Sequence, residues 1–275
     1  MTTHSSNAPA RAIQITDTHL FRDPVAALLK LNTQHTFEKV VELIASRESG
    51  IDTILATGDI AQDASVHAYL RFGDAMQPLK APFYWIPGNH DRRTVMESLP
   101  RFREAFATRV TLNNWMIVML DSSVPGEVHG RLSERELRHL ESSLAAAQDD
   151  PAIAHVMVCL HHNPITSSAG WMEGIGLLND DEFLAIIDRY SQIRAVVYGH
   201  IHQELDFMRG DVRYFCTPST CIQFKPDVID LKLMPHHALN PAYRWFSLFE
   251  DGRIDSAIER VVGHEFEVDH SSTGY

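Results

Sequence analysis

Phe83-Tyr84-Trp85-Ile86-Pro87-Gly88-Asn89-His90-Asp91 decides how this chain is read. An apolar run of strand character, Phe83 to Ile86, is stopped by Pro87 and Gly88 and delivers an amide, an imidazole and a carboxylate onto its exit loop. Outward from this stretch the same pattern recurs. Ala12 to Thr16 leads into Asp17 and His19, and Ile54 to Thr57 into Gly58-Asp59. His155 to Leu160 leads into His161-His162, and Ala195 to Tyr198 into Gly199-His200-Ile201-His202. Side chains carried just past the ends of such strands project from one edge of a sheet.

Amphipathic stretches separate these runs. Phe37, Val40, Val41 and Ile44 repeat at helical spacing from Thr33, with Gly50 placed to close the connection. A second helical stretch covers Ser65 to Met76. Ser133 with Glu136 forms a capping box ahead of Leu137, Leu140 and Leu144, and Asp181 to Tyr190 reads as a further helix. With Trp115 to Leu120 as another strand, the alternation is that of an α/β protein. Beyond His202, Tyr214 to Cys216, Trp245 to Phe249 and Ile254 to Ile258 read as β segments, with a hairpin signal at Asp251-Gly252. This predicts an antiparallel-rich second half. Residues 1–11 read as a mobile polar tail, and Asp227 to Pro241, with His236 and His237, as an irregular loop whose histidine pair is too loosely spaced to argue a metal site.

At 275 residues and 44% hydrophobic, the chain has the material for a sizeable core. Its net charge of −12 and the lack of a Lys/Arg-rich run argue against duplex nucleic acid or an anionic membrane as partner, while leaving a small anion drawn by metal ions compatible. Neither a signal core nor a membrane-length apolar window is present, so the expected location is the cytoplasm. Cys159, Cys216 and Cys221 lack zinc-ribbon spacing and read as buried thiols of a reducing compartment.

The five polar clusters carry the chemistry. Asp17-Thr18-His19 or Gly58-Asp59 alone is an ordinary surface triplet or turn. Asn89-His90-Asp91 is sharper, because an amide oxygen can ligate while the adjacent imidazole faces substrate. Asp91 either orients that imidazole or caps a helix beginning near Arg92. Of His161 and His162 only one needs to be a ligand. His200 and His202 share one side of an extended segment, so both can face the same centre. Together the clusters offer seven nitrogen and oxygen donors, the inventory of a two-metal hydrolase.

The ordered motif Asp-x-His, Gly-Asp, Gly-Asn-His-Asp, His, Gly-His-x-His, spanning Asp17 to His202, resembles the calcineurin-like metallophosphoesterases. Within that superfamily, Ile13 to Phe21, Gly199 to Asp206, Thr217-Pro218-Ser219-Thr220-Cys221 and Gln223-Phe224-Lys225-Pro226 are similar to the bacterial class III cyclic AMP phosphodiesterases. The resemblance implies a four-layer αββα sandwich of two mixed β-sheets flanked by helices, as one domain over residues 12–275. It implies a first metal held by Asp17, His19, Asp59 and His202, and a second by Asp59, Asn89, His161 and His200, with Asp59 bridging. His90 and Asp91 are the expected catalytic residues. His19, Asp59, Asn89, His90, His161 and His202 are expected to contact substrate.

The implied reaction is hydrolysis of 3′,5′-cyclic AMP to 5′-AMP by a hydroxide shared between the ions, with His90 serving the leaving group. Iron or manganese is favoured by the resemblance, and the oxygen and nitrogen donors also suit zinc or cobalt. A broader phosphodiesterase or phosphomonoesterase acting on glycerophosphodiester-type substrates, and a non-catalytic nucleotide- or partner-binding module, are the alternatives. Two departures stand out against relatives: Asn163 where a third histidine occurs, and Lys30 where glycine is usual.

Overall fold

The computed structural model describes residues 8–165, 170–226, 240–264, 266 and 268–269. Residues 1–7 of the expected tail and the His236-His237 pair lie outside the described residues. In chain order the elements are β1 (Ala10–Ile15), a small hairpin of β2 (Ala27–Leu28) and β3 (Leu31–Asn32), α1 (Thr33–Arg47), β4 (Thr53–Ala56), α2 (Val66–Met76) and β5 (Phe83–Trp85). There follow α3 (Arg93–Glu97), β6 (Arg109–Leu112), β7 (Trp115–Met119), α4 (Glu134–Asp149), β8 (His155–Cys159), α5 (Asp180–Ile187) and β9 (Ile193–Tyr198). Two hairpins complete the fold: β10 (Leu205–Arg209) with β11 (Val212–Cys216), and β12 (Ala242–Leu248) with β13 (Ile254–Arg260).

The strands form a five-stranded sheet of order β13-β12-β1-β4-β5 and a six-stranded sheet of order β10-β11-β9-β8-β7-β6. Alternation along each strand sorts side chains between two faces. On β1, Ala10 and Ala12 face the second sheet, while Ile13 and Ile15 face α1 and α2. On β7 and β8, Trp115, Ile117, Met119, Met157 and Cys159 face the first sheet, while Met116, Val118, Val156 and Val158 pack against α4 and α5. Four layers, αββα, result. Both sheets are mixed: β1, β4 and β5 run parallel, as do β7, β8, β9 and β11, with antiparallel strands added outside them.

The expected antiparallel-rich second half is present as the hairpins β10-β11 and β12-β13, built onto the existing sheets. β11 adds to β9 in parallel and β12 returns to pair with β1, so the late strands extend both existing sheets. Besides the short β2 and β3, two strands of the main sheets are not marked in the sequence. β6 and β10 are edge strands with weak apolar patterns, Arg-Val-Thr-Leu and Leu-Asp-Phe-Met-Arg, and only pairing with β7 and β11 makes them extended.

Helix starts follow the capping signals. The side chains of Asn32, Ser65 and Ser133 accept the amides of His35, Ala68 and Glu136. The Ser133 half of the expected box is present, but the Glu136 carboxylate accepts instead from the Asp121 amide and Arg135. The turn between β2 and β3 explains the unusual Lys30: Leu29 and Lys30 both have positive φ, 49° and 69°, a primed-turn geometry that favours glycine.

Phe246 fills the space between the sheets, edge-on to Phe215 with ring centroids 5.2 Å apart. Phe246→Ala is expected to lower unfolding free energy by about 3–5 kcal/mol in urea titrations, with Phe246→Leu costing clearly less.

Candidate metal centre

Because β1, β4, β5, β8 and β9 end at the same edge of the paired sheets, their exit loops converge. Asp17, His19, Asp59, His161, His200 and His202 are all buried there, and Asn89 and His90 are half-buried. Asp17 Oδ1 lies 3.3 Å from His202 Nε2 and 4.0 Å from Nε2 of both His19 and His161. Asp59 Oδ2 lies 3.3 Å from His161 Nε2 and 3.7 Å from His19 Nε2. The His19 and His202 Nε2 atoms are 3.2 Å apart, and Asn89 Oδ1 is 3.2 Å from His161 Nε2. Donors about 2.0–2.2 Å from a common ion stand roughly 3–3.5 Å from one another, so these separations are those of coordination polyhedra.

The imidazoles are oriented from behind. His161 Nδ1 is 2.8 Å from the Thr57 carbonyl, His202 Nδ1 is 2.8 Å from the Ile222 carbonyl, and His19 Nδ1 is 2.6 Å from Gln62 Oε1. His200 is reversed, its Nε2 lying 3.0 Å from the Ile175 carbonyl. An N–H donated to each of these oxygens fixes the tautomer and leaves the other ring nitrogen as a lone-pair donor. Burial with neighbouring imidazoles pushes His19 and His200 down to about 3, which keeps them neutral. Burial also opposes charge on His161, but the Asp59 and Asp17 carboxylates outweigh it and raise that imidazole to about 9. Despite burial, His202 and then His161 hold the Asp17 carboxyl below its usual range, and His161 above all holds Asp59 well below it. The carboxylates, the Asn89 oxygen and the ring nitrogens facing them fit a pair of cations sharing Asp59.

His161 and His162 part company. Both ring nitrogens of His162 are occupied, Nδ1 with the Ser122 hydroxyl at 2.8 Å and Nε2 with the Val128 carbonyl at 3.1 Å, so it braces the centre from outside. Asp91 serves the loops: its carboxylate accepts the amides of Ile60, Ala61 and Gly88 at 2.9–3.0 Å, tying the exits of β4 and β5 together. It does not cap α3, whose N-cap position is Arg92 with no side-chain bond. The His90 amide donates to Asp59 Oδ1 at 2.8 Å, and its ring stands edge-on to that of His19, centroids 5.0 Å apart. Asn163 donates to the Ile165 carbonyl at 3.3 Å and stays behind the centre.

Cys159, Cys216 and Cys221 are buried and unbridged. The Cys221 sulfur lies within 4.8 Å of ring nitrogens of His19 and His202, but burial raises this thiol to about 12 and it packs on the Ser219 hydroxyl at 2.9 Å.

Backbone conformation departs most from the ordinary at this edge. Asp17, His19, Asp59, His200 and His202 all have φ between 45° and 69°, in the left-handed region. Gly88 and Gly199 are required by close approach: a Cβ would stand 2.2 Å from Asp59 Oδ1 in the first case and 2.5 Å from Asp17 Oδ2 in the second. The supporting groups, Gln62 and the carbonyls of Thr57, Ile175 and Ile222, left no motif in the sequence, since a carbonyl has no side-chain signature.

Residues 10–204 match the calcineurin-like phosphoesterase family. The chain belongs to that family. A dinuclear metal centre is the family's common feature. The chain is 40% identical over 273 residues to the 3′,5′-cyclic adenosine monophosphate phosphodiesterase CpdA of Pseudomonas aeruginosa, covering 99% of this chain and 98% of that protein. It is 37% identical to the CpdA phosphodiesterase of Escherichia coli K12, covering 98% and 97%. Among solved structures, a dimetal phosphatase from Danio rerio superposes with TM-score 0.66 at 14% identity, covering 92% of this chain and 99% of that one. This likeness establishes the calcineurin-like phosphoesterase fold alone. Among the described residues no helix is long and apolar enough to cross a membrane.

Gly88→Ala is expected to push the Asp59 carboxylate out of place; elemental analysis of the purified variant should show at least one metal lost per chain, while circular dichroism keeps the parent spectrum.

Proposed function

We propose that this protein hydrolyses 3′,5′-cyclic AMP to 5′-AMP at a two-metal centre and so lowers a cyclic nucleotide signal. The observation that carries the proposal is the convergence of all seven expected donors at one edge of the paired sheets, in a chain similar over nearly its whole length to cyclic AMP phosphodiesterases. Asp17, His19, Asp59 and His202 would hold one ion, and Asp59, Asn89, His161 and His200 the other. Iron or manganese suits the all-oxygen-and-nitrogen set. When bound, the pair supplies Lewis acidity and a water acidic enough to attack phosphorus near neutrality.

The chain's own residues do the rest. His90, half-buried at the mouth of the site and tied through its amide to Asp59, is placed to donate a proton to the ribose O3′ as the P–O3′ bond breaks. Asp91 acts through the loop: by gripping three backbone amides it keeps Asn89 and His90 in register with Asp59. His19, Asp59, Asn89, His161 and His202 line the floor against which the phosphate would lie.

Comparing cyclic AMP, bis(4-nitrophenyl) phosphate and a glycerophosphodiester on the same purified sample, with elemental analysis, tests this reading. The highest kcat/KM is expected for cyclic AMP, with 5′-AMP as product. Preference for a glycerophosphodiester would move the substrate class, and metal-loaded protein that binds cyclic AMP without cleaving it would make the chain a binding module. Asp59→Ala should lose metal and activity together, which retention of two ions would contradict. His90→Ala should keep both ions while kcat falls about 10²- to 10⁴-fold, and unchanged turnover would remove the acid role.

A further inference from the structure

Toward the metal-bearing edge, the apolar filling between the sheets gives way to a fully buried polar junction built on Gln14, Thr217 and Arg244. Gln14 follows Ala10 and Ala12 on the inner face of β1, and Arg244, its register partner on β12, follows Leu248 and Phe246 on the same face. Arg244 is only 2% exposed, and its described hydrogen bonds run to neutral oxygens. Its Nε donates to Thr217 Oγ1 at 3.1 Å, Nη2 to the carbonyls of Cys216 and Leu205 at 3.0 and 3.2 Å, and Nη1 to Ser256 Oγ at 3.3 Å. The guanidinium thus clamps the first sheet to β10 and to the end of β11 in the second.

Donor direction then propagates. A guanidinium can only donate, so Thr217 must accept from Arg244 and turn its own proton to Gln14 Oε1. That agrees with the orientation of the Gln14 amide that the acceptor-only Tyr198 carbonyl requires: Nε2 donates to Thr57 Oγ1 at 2.8 Å and to the Tyr198 carbonyl at 3.0 Å. Thr57 stands two residues before Asp59 and its carbonyl faces His161 Nδ1; Tyr198 stands two residues before His200. Gln14 itself stands three residues before Asp17. One amide therefore touches strand ends of both sheets that carry the proposed ligands, and neither the reaction nor the coordination set uses it.

We propose that Gln14 and Thr217, oriented by Arg244, are positioning residues that hold the two sheet edges at the spacing at which Asp59 of one sheet and His161 and His200 of the other share an ion. This rests on the two-metal reading above. Burial of an unpaired amide oxygen or guanidinium N–H is costly, so removing the Thr217 hydroxyl, which leaves Gln14 Oε1 without its donor and Arg244 Nε without its acceptor, loosens the spacing.

The test is Mn²⁺ titration of the metal-depleted full chain, read by the paramagnetic resonance of free Mn²⁺, beside steady-state turnover of cyclic AMP. Thr217→Val, which removes the hydroxyl at nearly constant volume, should weaken one of the two Mn²⁺ sites about tenfold, the low end for groups that orient ligands, and lower kcat more than it changes KM. Thr217→Ser should restore both to within about threefold. Parent-like Mn²⁺ affinity and kcat in Thr217→Val would overturn the proposal, as would a serine variant as impaired as the valine one. Should Thr217→Val fail to fold by circular dichroism, Gln14→Met breaks the same junction from its other end and is judged by the same two readouts. A parent chain binding fewer than two Mn²⁺ would instead remove the two-metal reading itself.

Discussion

Two carboxylates buried side by side, Asp17 and Asp59, are the constraint from which the rest of this molecule follows. Full burial of an unpaired carboxylate is among the most costly arrangements in a folded chain, and two of them facing the same space compound the cost. The fold answers with polar groups at close range. The Thr16 hydroxyl and the His200 amide donate to Asp17, and the His90 amide donates to Asp59. Three imidazoles, those of His19, His161 and His202, each backed by an oxygen acceptor, turn their remaining nitrogens toward the pair. Such a nest of acceptors and lone pairs is complete only with cations in it, which links metal binding to the stability of the whole edge.

That edge is costly in backbone terms as well. Five of the residues brought to it sit in left-handed conformations that suit glycine better, at a cost on the order of 1–3 kcal/mol each. Such geometry persists only where the surroundings over-determine it. Here those surroundings are two sheets packed through continuous apolar layers, with Phe37, Val40 and Ile44 of α1 against one outer face and Leu140 and Leu144 of α4 against the other. A rigid scaffold below and strained loops above is the arrangement expected of a pre-organised site. Between them lies the polar junction of Gln14, Thr217 and Arg244, where burial is traded for directional bonds that cross from sheet to sheet.

Much of this was legible in the linear order of residues. Asp17, His19, Asp59, Asn89, His161, His200 and His202 announce themselves because each follows an apolar run, and parallel strands must all end on the same side. Ser133 marks a helix start through local capping chemistry. What fails to show is whatever depends on pairing: the edge strands β6 and β10, and the return of β12 to β1, which makes the late hairpins extensions of both sheets.

The sequence alone, then, determined the central strands and the polar side chains at their ends, because hydrophobic period and side-chain type are local properties. Only the tertiary structure decided which histidine of the 161–162 pair faces the carboxylates, that Asp91 grips backbone rather than capping a helix, and that a buried guanidinium reaches the Gln14 amide through the Thr217 hydroxyl. Each of those depends on where a carbonyl, a hydroxyl or an amide from a distant segment comes to rest, and hydrogen-bond partners of that kind carry no trace in the residues they serve.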